Sequence, residues 1–170
     1  GTVRRLIWTG PLVDLLGAPS PDGGYLAVTD WETGNLAIRE TSTGVLRRLT
    51  ENGDWNGWAE FPVPSPDGKH VAYAWYNEKA VRDLRVYSLE ASSARVVYAD
   101  DAVEYVQPFA WTPDGTRILA SLARTKSIMA AIFALSRSGP MSDQVSSLEV
   151  GASSRQPLLR ASRSQLQRNP

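Results

Sequence analysis

The sequence predicts an all-β chain of about three four-stranded antiparallel units, and three observations carry that prediction. A tetrapeptide recurs as Ser20-Pro21-Asp22-Gly23, Ser65-Pro66-Asp67-Gly68 and Thr112-Pro113-Asp114-Gly115. Its aspartates, at 22, 67 and 114, lie 45 and 47 residues apart, a spacing typical of stacked supersecondary repeats. Each copy precedes a short run rich in strand formers: Tyr25-Leu26-Ala27-Val28, His70-Val71-Ala72-Tyr73-Ala74-Trp75 and Arg117-Ile118-Leu119-Ala120-Ser121-Leu122. These runs are too short and too rich in β-formers for helices.

The tetrapeptide is a hairpin device. Proline presets φ at the first corner, aspartate bonds nearby backbone N–H groups, and glycine accepts positive φ where the chain enters the next strand. Asp22, Gly23, Asp67, Gly68, Asp114 and Gly115 are therefore assigned structural turn roles. An opening strand is expected before each turn, at 13–19, 60–64 and 106–111. A third strand follows at 35–39, 83–87 and 127–135. Leu36/Ile38 and Leu84/Val86 alternate with polar or small residues, the period of a strand with one buried face. In the third copy Met129, Ala130 and Ala131 would suit a helix equally well. Closing strands are expected at 45–50 and 95–98, with a weaker one at 145–150. Val3 to Trp8 reads as another closing strand, Arg4-Arg5-Leu6 echoing Arg47-Arg48-Leu49. The expected organisation is thus repeats over 1–150, with a closing strand of a preceding unit at 1–9 and units at 13–50, 59–99 and 106–150. A basic, polar and poorly ordered tail is expected at 151–170. The strand-like start without Met reads as a cut inside a larger architecture.

The Ser-Pro-Asp-Gly turn, the following Lys69-His70-Val71-Ala72-Tyr73, the later Asp83-Leu84-Arg85-Val86-Tyr87 and the ending Leu49-Thr50 together resemble TolB-type repeats. Such repeats also occur in prolyl-oligopeptidase-like and tricorn-like peptidases and in bacterial sensor ectodomains. The resemblance spans roughly residues 3–135. It implies a partial β-propeller of about three four-stranded antiparallel blades and an extracytoplasmic (periplasmic or secreted) setting. The sequence departs from the pattern at Thr112, in the missing Leu-Thr of the third copy, and at Arg160-Ala161-Ser162-Arg163-Ser164, where a fourth turn is due. The repeated motif is structural, so the resemblance implies no catalytic residue.

Composition narrows the function classes. Eighteen basic and eighteen acidic side chains cancel, which removes the electrostatic footprint of a nucleic-acid binder. Four arginines, 155, 160, 163 and 168, sit in the tail, so the body is mildly acidic. Without cysteine there is no disulfide or thiolate chemistry. No run of about 18 apolar residues marks a membrane span. No Gly-x-Ser-x-Gly elbow is present, and His70 is the single histidine, placed for an exposed structural role. Asn52 to Gly57 superficially resembles the start of a calcium loop, but its twelfth position is Val63 where a bidentate Glu is needed. No catalytic residue, metal or cofactor is expected.

In propeller geometry the turns alternate between two ends. One end collects the Pro-Asp-Gly turns, and the other collects acids and aromatic rings: Trp31 and Glu32, then Glu51 to Glu60, then Trp75 to Glu78, then Asp100 to Tyr105. Trp31, Asp54, Trp55, Trp58, Trp75, Asp100, Asp101 and Tyr105 are the candidate ligand-binding residues, suited to cationic peptide segments, amines or sugars. The plainer alternative is that the rings pack between blades and the acids are merely solvated. The expected function is a non-catalytic protein-interaction or ligand-binding module with a protein or peptide partner, part of a larger protein. Self-association through open blade edges is also expected. The alternative is the regulatory propeller portion of a prolyl-oligopeptidase-like serine peptidase whose hydrolase domain lies outside this chain.

Overall fold

A computed structural model describes residues 14–54, 56–77, 82–124, 127–134 and 145–146. Twelve strands and no helix occupy them. The first sheet runs β1 (Asp14–Pro19), β2 (Tyr25–Asp30), β3 (Leu36–Glu40) and β4 (Leu46–Arg48). The second runs β5 (Trp58–Pro64), β6 (His70–Tyr76), β7 (Arg82–Ser88) and β8 (Ser93–Tyr98). The third comprises β9 (Val103–Trp111), β10 (Arg117–Arg124), β11 (Ser127–Ala134) and β12 (Val145–Ser146). Within each sheet every strand pairs antiparallel with its sequence neighbours. The helix-compatible Met129-Ala130-Ala131 segment is a strand, because β10 offers eight consecutive registered partners from Arg117↔Ala134 to Arg124↔Ser127. The expected strand at Val3 to Trp8 and the tail at 151–170 lie outside the described residues.

The three turns are built alike. Asp22 Oδ1 accepts from Ser20 Oγ and from the Gly24 N–H, Asp67 Oδ1 from Ser65 Oγ and the Lys69 N–H, and Asp114 Oδ1 from Thr112 Oγ1 and the Thr116 N–H. The same hydroxyls accept from the backbone N–H of Tyr25, His70 and Arg117, at 3.0, 2.9 and 3.0 Å. Threonine at 112 therefore replaces serine without loss, since only the hydroxyl is used. The glycines that end the turns sit at φ 71°, 69° and 68°, the left-handed region in which a side chain is costly.

The sheets stack face to face, and β6 shows why its sequence is an uninterrupted apolar run. Val71, Tyr73 and Trp75 pack toward Tyr25, Leu36 and Ile38 of the first sheet. Ala72 and Ala74 pack toward Val106, Ile118 and Leu122 of the third. A central strand buried on both faces has no polar side to show. Polar bonds cross the same seams: the Tyr25 hydroxyl donates to Gly68 O at 3.0 Å, Thr29 Oγ1 to Ala59 O at 2.9 Å, and Trp111 Nε1 to Val63 O at 2.9 Å. Burial pushes the Tyr25 and Tyr73 hydroxyls up to about 12, so both stay neutral.

A second repeat is structural and silent in the sequence. The opening strand of each sheet slips register near its middle, between Leu15 and Ala18, between Glu60 and Val63, and opposite Leu119/Ala120. The second bulge places Phe61 at φ 53°, an uncommon backbone for a bulky residue.

Candidate functional site

The end opposite the Pro-Asp-Gly turns is built, among the described residues, from the turn after β2, the end of β6, the start of β7 and the loops joining successive sheets. In the first sheet, the carbonyl of Asp30 accepts the N–H groups of Thr33 and Gly34, which closes the turn carrying Trp31 and Glu32. The Asp30 side chain, 1% exposed, accepts from Arg48 Nε, from Thr33 Oγ1 and from the Glu32 N–H. Burial pushes this carboxyl up, but those hydrogen bonds outweigh it and hold the group below its usual range. Arg48 also reaches Glu32 at 3.1 Å. Trp31 projects from this anchored turn with 47% of its surface exposed.

Asn35, buried beside this turn, organises the loop that follows. Its Oδ1 accepts from Thr50 Oγ1 at 2.9 Å and from the Gly53 N–H at 2.8 Å, and its amide donates to Thr33 Oγ1. Thr50 Oγ1 accepts in turn from the Leu36 N–H, while Leu49 joins the core. The Leu49-Thr50 ending is therefore a clasp between closing strand and loop. Asp54 accepts from the N–H groups of Asn56 and Gly57 and from the Asn56 amide. The Asn56 side chain and those backbone donors hold its carboxyl below the usual range. The loop's oxygens thus serve a turn, and among the described residues no three His, Asp or Glu side chains are placed to hold a metal ion.

The second seam gathers aromatic rings around a cation. Trp58 stacks on Tyr76 with centroids 4.0 Å apart and planes 25° from parallel. The Arg82 guanidinium lies 5.1 Å from the Tyr76 ring centre and 5.1 Å from that of Tyr105. Its Nε donates to Glu60 Oε2 at 2.6 Å and one terminal nitrogen to Glu104 O at 2.8 Å. Trp58 Nε1 donates to the other Glu60 oxygen at 3.0 Å. Phe61 meets Tyr105 edge-on at 5.7 Å, and the Tyr105 hydroxyl donates to Gln107 Oε1. Burial, with Glu60 nearby and Arg82 opposing, raises the Tyr105 hydroxyl.

Of the sequence-derived candidates, Trp58 and Tyr105 come together through Tyr76 and Arg82, and Trp31 is exposed on the same end. Trp75 is 6% exposed; it packs in the core between the first two sheets, edge-on to Tyr73 and beneath the Arg85 guanidinium. Its alternation partners Val71 and Tyr73 carry it inward, so it is no surface contact. Asp100 caps a tight turn, accepting from the Tyr98 hydroxyl and the Ala102 N–H, and Asp101 is exposed beside it. Trp55 lies outside the described residues. His70 is partly exposed, its ring 6.3 Å from Trp111 and its Nδ1 3.8 Å from Asp67. The residues that sequence reasoning missed are Arg48, Arg82 and Asn35. Arg48 and Arg82 belong to the strands β4 and β7 and reach the acids of this end from there, outside the loop segments in which the acidic and aromatic residues cluster.

These stacked four-stranded antiparallel sheets, each with the same hairpin between its first two strands, are blades of a β-propeller. No protein-family model and no curated protein matches the sequence. Among solved structures, the chain is similar to TolB from Acinetobacter baumannii, at 23% identity and TM-score 0.56 over 73% of this chain and 30% of that one. It is similar to dipeptidyl peptidase 4 of Porphyromonas gingivalis at 13% identity and TM-score 0.59, over 71% of this chain and 24% of that one. It is also similar to the β-propeller domain of the Trilobed protease from Pyrococcus furiosus, at 22% identity and TM-score 0.51, over 74% and 41%. The chain therefore spans less than half the length of these structures, and the shared property is the β-propeller fold. Among the described residues no helix is long and apolar enough to cross a membrane.

Proposed function

We propose that the chain is a non-catalytic binding portion of a propeller, and that its loop end engages a cationic segment of a protein or peptide partner in an extracytoplasmic setting. The observation that carries this reading is the presentation of Trp31: an exposed ring on a turn whose two flanking acids are fixed by Arg48. A ring held by a rigid turn, with the exposed Glu32 carboxylate next to it, offers stacking and charge at little cost in conformational entropy. Asp54 and Asp101 extend the acidic rim on the same end.

Tryptophan fluorescence during titration with an arginine- and lysine-rich peptide, against a neutral peptide of equal length, tests the reading. A saturable change is expected with the cationic peptide, weakened in Trp31→Ala while far-UV circular dichroism is unchanged. Equal binding by Trp31→Ala and the parent overturns it.

The likeness to a dipeptidyl peptidase favours one second reading, the regulatory propeller portion of a prolyl-oligopeptidase-like serine peptidase whose hydrolase domain is outside this chain. A Gly-x-Ser-x-Gly elbow followed by Asp and His in the same gene would decide for it.

A further inference from the structure

We propose that the seam between the second and third sheets is a guanidinium receptor whose resident occupant is the chain's own Arg82, and that an arginine side chain of the partner takes the same seat when Arg82 leaves it. The inference rests on the loop end being a cation-binding surface and names the cation it selects. Two tyrosine rings, from Tyr76 and Tyr105, stand at equal distance from the guanidinium carbon, 5.1 Å each. A carboxylate meets Nε at 2.6 Å and a backbone carbonyl meets a terminal nitrogen at 2.8 Å. Two ring faces within 5.1 Å of the guanidinium carbon and oxygen acceptors on two of its nitrogens suit a planar guanidinium better than a tetrahedral ammonium.

The seat is also organised independently of its occupant. Trp58 fixes the second oxygen of Glu60 and stacks on Tyr76, while Phe61 and Gln107 hold Tyr105. Removing Arg82 therefore leaves the rings and the carboxylate in place. Glu60 and Arg82 are only partly buried, with 16% and 20% of their side-chain surfaces exposed, so exchange with solvent is open to the head group. The two tyrosines come from different sheets, which makes occupancy of the seat a clasp between blades as well.

Chemical rescue tests the proposal. Thermal melts of Arg82→Ala should show a lowered midpoint that methylguanidinium raises saturably, with methylammonium about tenfold less effective at equal ionic strength. The parent and the double variant Glu60→Gln/Arg82→Ala should show no such rise. A peptide with a single arginine should bind Arg82→Ala about tenfold more tightly than it binds the parent. Rescue of equal size in the parent, equal rescue by methylammonium, or equal peptide affinity for both proteins overturns the proposal. If Arg82→Ala does not fold, Arg82→Lys gives the same readout, since methylguanidinium should displace the ammonium and raise the midpoint. Loss of rescue with binding at Trp31 retained would sink this inference alone and leave the broader reading of the loop end standing.

Discussion

The turn end and the loop end of the sheets satisfy their polar groups in different ways. At the turn end, one hydroxyl, one carboxylate and one left-handed glycine form the same closed network in each of the three sheets. Each hydroxyl–carboxylate network bonds its own hairpin and can be copied, with the Tyr25 hydroxyl on Gly68 O an added bond to the next sheet. At the loop end the polar groups meet across strands and sheets, and each place has its own solution: Arg48 with Asp30 and Glu32 in the first sheet, Arg82 with Glu60, Tyr76 and Tyr105 at the second seam. Backbone closure fixes the chemistry of the first end, whereas side chains meeting across a seam are free to diverge.

Gly34 and Gly68 put the contrast to its largest test. Both have positive φ, 75° and 69°. A Cβ on Gly68 would meet open space, whereas one on Gly34 would lie 2.8 Å from Trp58 Cβ. Gly68→Ala should cost about 1 kcal/mol from backbone strain alone. Gly34→Ala adds a collision against an adjacent sheet and should cost about 3 kcal/mol. Equal shifts in urea midpoint would show that the loop end yields as easily as the turn end.

Within the turn end, Ser65 should matter more than Asp67. Ser65 is 1% exposed and its hydroxyl serves both the Asp67 carboxylate and the His70 N–H. Ser65→Ala strands the part-buried His70 N–H and should cost about 2 kcal/mol, while Asp67→Ala, at an exposed carboxylate, should cost about 1 kcal/mol. Ser65→Thr should be tolerated, because Thr112 makes the same bonds in the third sheet. A Ser65→Ala protein as stable as the parent would remove the hydroxyl from the centre of the turn.

The same network carries a pH dependence. Asp22, Asp67 and Asp114 are each held below the usual carboxylate range, first by the Ser or Thr hydroxyl and then by backbone N–H groups, with Asp114 at about 2. A carboxyl depressed in the folded state contributes stability above its unfolded value, near 3.8, and loses it as pH falls through the folded one. Stability should therefore decline between about pH 4 and pH 2. The decline should be shallower in Asp114→Asn. An unchanged acid limb in that variant would disconnect the turns from acid stability.

The fold was legible because its determinants are local. Proline, aspartate and glycine at a fixed period mark hairpins, and the apolar runs between them mark strands with two buried faces. The register slip in each opening strand was not legible, since Leu16-Gly17, Phe61-Pro62 and Pro108-Phe109 share no residue pattern. At the loop end, composition located the aromatic and acidic residues but not their partners. Arg48 and Arg82 sit on strands and reach into the loops, so charge counted within the loops alone misses both. The burial of Trp75 has a related cause: it ends an alternating row with Val71 and Tyr73, and that alternation outranks its closeness to a turn.

Trp31 should give the smallest change in stability and so the finest test of how the loop end is built. Its turn is closed by the Asp30 carbonyl and locked by the Asp30 carboxylate on Arg48, Thr33 and the Glu32 N–H, and none of these bonds uses the indole. Nearly half the ring's surface is exposed, so truncation returns little apolar area to water. Trp31→Ala should therefore shift stability by about 1 kcal/mol or less. Loss of Trp75, buried between sheets, should cost about 3 to 5 kcal/mol. Urea melts of the two variants side by side measure the difference directly. A loss above about 1 kcal/mol for Trp31→Ala would make the ring a packing element of the first sheet, and an indole needed for packing could not also be the presented surface of a binding site.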